Sequence, residues 1–95
     1  MHGLTLTTKM VKSPHVTQIR VDLETIIMQP TSQTYFSFNG IGANIWSLFN
    51  IGALTVIDLA HYLKEEYHLE EEKSIQDAYQ FVESLLVNGL VYALD

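Results

Sequence analysis

Near the middle of the chain stands the segment Thr34-Tyr-Phe-Ser-Phe-Asn-Gly-Ile-Gly-Ala-Asn-Ile-Trp46. Its first five residues predict a β-strand, because aromatic side chains at positions 35, 36 and 38 favour a pleated, half-buried surface. Asn39 and Gly40 tolerate turn conformations and end the strand. Apolar residues then recur at positions 41, 45, 48 and 49, the spacing of a helix with one buried face. The segment therefore predicts a strand that runs into a helix through a very short connection.

Two further strands are predicted before this segment. Residues 16–21 alternate, with Thr17, Ile19 and Val21 expected to face the core and the polar residues between them to face water. Residues 25–29 are largely β-branched and apolar, and they end at a proline that a central strand does not accommodate. Short connections on both sides predict that the three strands form an antiparallel meander.

Three helices are predicted after the meander. The first covers residues 41–49. The second begins after Thr55, because a threonine followed three residues later by Asp58 resembles a capping box. Its apolar residues recur at helical spacing as far as Tyr67. Together with a third helix, these elements predict the α+β class, a three-stranded antiparallel meander followed by three α-helices.

The third helix is predicted from Glu71 or Ser74 to Asn88, with Gly89 as a left-handed stop. Its apolar residues span an arc of roughly 160°, wider than the stripe of about 100° that a core-facing helix needs. They are Ile75, Ala78, Tyr79, Phe81, Val82, Leu85 and Leu86. Either two neighbours wrap around this helix, or one edge of the arc lines a groove, and the residues alone leave both interpretations open. Residues 90–94 are expected to form an extended tail that packs back on the domain.

Composition limits the class of protein. The 95 residues form one domain, and 47% hydrophobic content is enough for a core. No run approaches the about 20 apolar residues of a transmembrane helix, and no signal peptide is apparent. The absence of cysteine excludes disulfides and thiolate chemistry, and a cytoplasmic location is the simplest expectation. Residues 1–14 are predicted to be a flexible segment and residues 15–95 the domain.

The charge distribution argues against nucleic acid as a partner. The net charge is −6, and eight of the eleven acidic residues lie between Asp58 and Glu83. Such a surface repels phosphate backbones. A winged-helix DNA-binding regulator would need basic residues on its recognition helix, but the only arginine is Arg20, on the first predicted strand. A neutral or basic peptide remains a plausible partner.

Catalytic and metal-binding patterns are weak. No Ser-His-Asp grouping and no glycine-rich phosphate loop is apparent, so we expect no enzymatic activity. His61, Glu65 and His68 have a spacing that places two or three of them on one helical face, which is a possible metal set. His68, however, lies beyond the predicted end of the helix. We therefore expect no bound metal and no cofactor.

Several spaced motifs resemble the PqqD family, the leader-binding domains of ribosomally made and modified peptides, also called RiPP recognition elements. The motifs are Tyr35-Phe36-x-Phe38-Asn39-Gly40-x-Gly42-Ala43-x-Ile45-Trp46, then Thr55-Val56-x-x-Leu59 with Leu63 and Glu66-Tyr67, and finally Asp77, Phe81, Leu85 and Asn88-Gly89-Leu90-Val91. The resemblance covers about residues 16–91. The family usually has leucine at the position of Phe38, so the apolar character there is kept.

The resemblance implies a winged-helix-like domain that does no bond chemistry. In this family, the leader of a precursor peptide adds as an extra strand to the third strand of the meander, in a cleft walled by the third helix. The likeness is stronger to the lasso-peptide type, in which a separate leader protease or modifying enzyme receives the peptide. The alternative within the family is the peptide chaperone of pyrroloquinoline quinone (PQQ) synthesis.

The residues predicted to contact the peptide come from the third strand and the third helix. They are Thr34, Tyr35, Phe36, Ser37, Ile75, Asp77, Ala78, Tyr79 and Val82. Alternation along the strand predicts that Phe36 shares one face with Phe38, and that Tyr35 and Ser37 share the other. Each residue also has a purely structural interpretation. The helix residues could pack in the core. The exposed strand could stay unpaired in a monomer or pair between two copies in a domain-swapped dimer.

Overall fold

A computed structural model describes residues 4–94. Residues 1–3 of the predicted flexible segment and Asp95 of the predicted domain lie outside the described residues. The chain is built from five strands and three helices in this range. In order they are β1 (Met10–Lys12), β2 (Thr17–Val21), β3 (Glu24–Gln29), β4 (Thr34–Asn39), α1 (Gly40–Leu48), α2 (Val56–Tyr67), α3 (Glu71–Val87) and β5 (Val91–Ala93). The α+β class is confirmed, with an antiparallel meander followed by three helices.

The meander is the larger of two sheets. Its strands lie in the order β2-β3-β4, and both pairings are antiparallel. The connections are short enough that Asp22 and Gln33 adopt left-handed conformations, with φ of 57° and 54°. Aspartate tolerates this region better than most residues. At the far end, β4 leads directly into α1 at Gly40, whose φ is +54°.

The predicted orientation of β2 is wrong. Ile27 on β3 is fully buried and pairs with Gln18 on one side and Phe36 on the other, so these three residues share the core-facing side of the sheet. Ile19 and Val21 lie on the outer face and are 62% and 46% exposed. An alternating pattern defines two faces of a strand, but not which of them meets the core.

The N-terminal part of the domain differs from the prediction of a flexible segment over residues 1–14. Met10–Lys12 form β1, which pairs antiparallel with β5, and Met10 is fully buried. The backbone N–H of Met10 donates to the carbonyl of Leu54 at 2.8 Å, and the N–H of Leu54 donates back at 2.9 Å. Met10 therefore belongs to the domain core, which begins before residue 15.

The predicted helix ends are confirmed. Thr55 caps α2, because its side chain accepts from the N–H of Asp58 at 3.1 Å while the Asp58 carboxylate accepts from the N–H of Thr55 at 2.9 Å. Gly89 follows α3 with φ of +71°, where a Cβ would lie 3.0 Å from Nε2 of Gln29.

α3 packs along α2, and the core lies between these two helices, α1 and the inner face of the sheet.

Replacing Thr55 with alanine is expected to lower the free energy of unfolding by about 1 kcal/mol, because the capping box loses its side-chain acceptor. The measurement is urea denaturation followed by circular dichroism. Thr31→Ala in the β3–β4 turn is the matched control, since its side chain is exposed and caps no helix. Equal effects of the two substitutions would contradict a stabilising role for the cap.

Candidate peptide-binding groove

β4 is an edge strand. It pairs with β3 on one side, and no strand within residues 4–94 pairs with its other side. Such an edge presents a row of backbone N–H and C=O groups that an extended peptide can satisfy. The free edge of β4 is therefore the starting point for a candidate site.

The side chains of β4 alternate as predicted. Phe36 and Phe38 are half-buried against the core, whereas Tyr35 is 71% exposed and Ser37 is exposed on the outer face. The Ser37 hydroxyl donates to the carboxylate of Glu24, its neighbour on β3. A strand added to β4 would therefore meet aromatic side chains on the inner side and polar or amphipathic ones on the outer side.

Phe81 is the α3 residue that meets β4. Its ring lies 5.4 Å from the ring of Phe38, and Phe38 in turn lies 6.2 Å from the ring of Trp46, which is fully buried. These separations fall within the range of favourable aromatic pairs. Gly42 at the start of α1 lies beside this pair, and a Cβ there would make an ordinary contact with the Phe81 ring at 3.5 Å. The three rings form a continuous aromatic wall.

The second contact between the sheet and α3 lies at the end of the helix. The side-chain N–H of Gln29 donates to the carbonyl of Gly89 at 2.6 Å, and Gln29 pairs with Thr34, the first residue of β4. Phe81 lies about two helical turns before Gly89, beside the later part of β4. β4 and α3 therefore run in opposite directions along the candidate site.

We use the name β4–α3 groove for the surface between the free edge of β4 and the side of α3 that carries Phe81. At 100° per residue, the helix residues on that side recur four, three and four positions apart. They are Asp77, Phe81, Ser84 and Asn88. Asp77 is 34% exposed and pairs with Lys73 at 3.0 Å, and the Asn88 amide donates to the carbonyl of Ser84 at 2.9 Å.

Two of the predicted helix residues lie in the core. Ala78 and Val82 are fully buried, so neither presents a surface that a bound peptide could touch. They pack on the α2 side of the helix with Leu85. This position follows from the arc, since Ala78 and Val82 lie near its centre and not at an edge.

Ile75 and Tyr79 lie at the edge of the arc that is far from Phe81. At 100° per residue they are about 120° and 160° away from Phe81, which directs them away from β4. Ile75 instead lines a cavity of about 290 Å³ between the N-terminal segment, α2 and α3. The other lining residues are Leu6, Ile57, Ala60, His61, Lys64, Glu71 and Ser74. Asp77 therefore lies on the side of α3 that carries Phe81, whereas Ile75 and Tyr79 do not.

Sequence reasoning did not assign Phe81, Ser84 and Asn88 to the peptide site. A signal was present, because these residues share the helical spacing of Asp77, which was assigned. The row mixes polar and apolar residues, whereas the predicted helix residues other than Asp77 belong to the apolar arc.

The possible metal set is not assembled. His68 follows α2 in a left-handed conformation, with φ of 55°. Across residues 4–94, no group of three His, Asp or Glu side chains is placed to hold a metal ion. In the same range, no helix is long and apolar enough to cross a membrane.

Residues 24–91, well over half of the chain, match the family model of coenzyme PQQ synthesis protein D (PqqD). The chain belongs to the PqqD family. The matched range contains β3, β4 and all three helices of this PqqD-family chain and ends at the first residue of β5. Both walls of the β4–α3 groove therefore lie inside the family match, whereas β1 and β2 lie before it. No curated protein sequence matches the chain.

Two solved structures share the fold of this PqqD-family chain. One is TbiB1 in complex with the TbiA(beta) leader peptide, with a TM-score of 0.80, 22% identity, and coverage of 90% of this chain and 98% of that one. The other is lasso peptide synthetase B1 complexed with the leader peptide, with a TM-score of 0.75, 24% identity, and coverage of 87% and 96%. The agreement extends over nearly the full length of both structures.

Proposed function

We propose that this PqqD-family chain binds the leader segment of a ribosomally made precursor peptide in lasso peptide biosynthesis. The leader adds as a strand to the free edge of β4, in the β4–α3 groove. The chain then presents the bound precursor to a separate leader protease or modifying enzyme. It performs no bond chemistry itself.

The observation that carries the proposal is the free edge of β4 beside the side of α3 that carries Phe81. β-Strand addition gains affinity from main-chain hydrogen bonds, and specificity from pockets that receive alternate side chains. The inward side chains of an added strand would meet the ring of Phe36 and the aromatic pair of Phe38 and Phe81. The two solved structures support the proposal, since each is a complex of a similarly folded protein with a leader peptide.

The contact residues follow from this placement. From the predicted set we keep Thr34, Tyr35, Phe36, Ser37 and Asp77. From the structure we add Phe81, Ser84 and Asn88. Asp77 is the only carboxylate on the groove side of α3, and its partner Lys73 is more than half exposed. A basic leader residue near this position can therefore share the Asp77 carboxylate, although an exposed pair of this kind contributes only about 0–1 kcal/mol.

A second candidate within the family is peptide binding in PQQ synthesis, which the description of the family model favours. The proposed binding surface is the same, so only the peptide differs. The experiment therefore offers two peptides in parallel, the leader of a lasso precursor encoded beside this chain and a PQQ precursor peptide.

The test is titration of the isotope-labelled chain with each peptide, followed by backbone NMR. We expect amide shifts confined to residues 34–38 and to Asp77, Phe81, Ser84 and Asn88, with the lasso leader as the tighter ligand. Tighter binding of the PQQ precursor would favour the second candidate. Absence of binding to either peptide, or shifts clustered on the exposed face of α2, would overturn the proposed site.

Self-association through the same edge is measured in the same samples. A swapped dimer would occupy β4 and compete with the peptide. Sedimentation at two protein concentrations, with and without the leader, separates the two states. We expect the leader to shift any dimer toward a one-to-one complex, because both would use the free edge of β4.

A further inference from the structure

A polar network lies behind the aromatic wall of the groove. The side-chain oxygen of Gln18 accepts two hydrogen bonds, from the indole N–H of Trp46 and from the ammonium of Lys12, each at 2.8 Å. The Lys12 ammonium also donates to the side-chain oxygen of Asn50 and lies 4.4 Å from the centre of the Trp46 ring. Burial lowers the pKa of Lys12. Three segments of the chain, at Lys12, Gln18 and Asn50, therefore converge around the Trp46 indole.

Trp46 is also one of the three rings of the aromatic wall. Its ring packs on Phe38, which packs on Phe81. Trp46 is fully buried, and a buried indole N–H without an acceptor is costly. The hydrogen bond to Gln18 therefore orients the Trp46 indole, and the Trp46 ring in turn positions Phe38.

We propose that Gln18 is a positioning residue for peptide binding, acting through Trp46 on the aromatic wall of the β4–α3 groove. This inference rests on the proposed function and extends it to a strand that the family match does not include. Gln18 itself touches no part of the groove. Its side-chain oxygen is an acceptor shared by the Trp46 indole N–H and the Lys12 ammonium, and an amide oxygen has the two lone pairs that both donors use.

Two substitutions at this position separate acceptor loss from a change of size. Gln18→Met keeps the length of the side chain and removes the oxygen. Gln18→Glu restores an oxygen for both donors, and adds a favourable charge opposite Lys12. Gln76→Met is the matched control, because Gln76 is exposed on α3 and lies about 140° from Phe81 around the helix.

The readouts are the leader affinity and the spectrum of Trp46, the only tryptophan in the chain. All variants are compared at a temperature where circular dichroism shows them fully folded. Gln18→Met should change the emission maximum and near-ultraviolet circular dichroism of Trp46, and should weaken binding of the synthetic lasso-precursor leader roughly 3- to 10-fold, the effect of about one hydrogen bond. Gln18→Glu should recover both properties to within about twofold, and Gln76→Met should change neither.

The possible outcomes separate failure of the Gln18 inference from failure of the proposed leader-binding function. If the folded Gln18→Met variant binds the leader with wild-type affinity, Gln18 is a stabilising residue only and the inference is wrong, while the proposed function stands. Failure of Gln18→Glu to recover the affinity would also overturn it. If the wild-type chain binds no leader peptide, the proposed function fails and the inference fails with it.

Discussion

Replacing Phe81 with alanine is expected to weaken leader binding by about 30-fold or more, the effect of losing a central aromatic anchor at an interface. Phe81 is the point at which α3 meets β4, through a ring separation of 5.4 Å from Phe38. Without its ring, α3 loses its aromatic contact with β4, and Phe38 keeps only Trp46 as an aromatic neighbour. Isothermal titration calorimetry with the leader peptide measures the effect.

The control for Phe81→Ala is Val87→Ala on the same helix. Val87 is 74% exposed and lies about 120° from Phe81 around α3, so its side chain does not line the groove. Phe81→Ala is also expected to destabilise the fold by about 2–4 kcal/mol, and binding is therefore compared where both variants are folded. Phe81→Leu keeps an apolar side chain and should lose less affinity than alanine. Equal affinities for the Val87 and Phe81 variants would place the leader elsewhere.

Replacing Met10 with alanine is expected to lower the free energy of unfolding by about 2–5 kcal/mol, the usual range for truncating a fully buried methionine. This is a large part of the about 5–15 kcal/mol that stabilises a small domain. Met10 lies in β1, between the β5 partner Ala93 and the bridge partner Leu54. Guanidinium or urea denaturation followed by Trp46 fluorescence measures the change.

Lys9→Ala is the matched control for Met10→Ala. Lys9 is the preceding residue and its side chain is exposed, while its carbonyl accepts from the N–H of Leu94 in a backbone bond that alanine retains. We expect Lys9→Ala to change the stability by less than about 0.5 kcal/mol. If Met10→Ala is equally mild, residues 10–12 behave as the flexible segment that their composition predicts, and β1 contributes little to the fold.

Features that depend on neighbours in the chain were predictable. The strand that ends at Asn39, the capping box of Thr55 and the left-handed stop at Gly89 each follow from residues within a few positions of one another. The two faces of β4 were also assigned correctly, because the side chains of Phe36 and Phe38 are wholly apolar whereas those of Tyr35 and Ser37 carry a hydroxyl group. These local signals were enough to predict the order of elements from β2 to α3.

Features that depend on distant partners were not predictable. Gln18 lies on the inner side of the sheet although it is itself exposed, and its side-chain oxygen accepts from the Trp46 indole, 28 residues later. β1 exists because β5 returns from the other end of the chain to pair with it. No pattern within residues 10–21 predicts that Gln18 will bond to Trp46 or that β1 will pair with β5.

The division is clearest in α3. The residues of this helix determined that a broad apolar arc would be buried, since helical periodicity is a property of the chain alone. Only tertiary packing decided which edge of the arc faces β4. The contact of Phe81 with Phe38 and the bond from Gln29 to Gly89 orient the helix, so Asp77 meets the groove while Ile75 meets a cavity on the other side. Periodicity fixes the angles between side chains on a helix, but the rotation of the helix against the sheet depends on contacts made far along the chain.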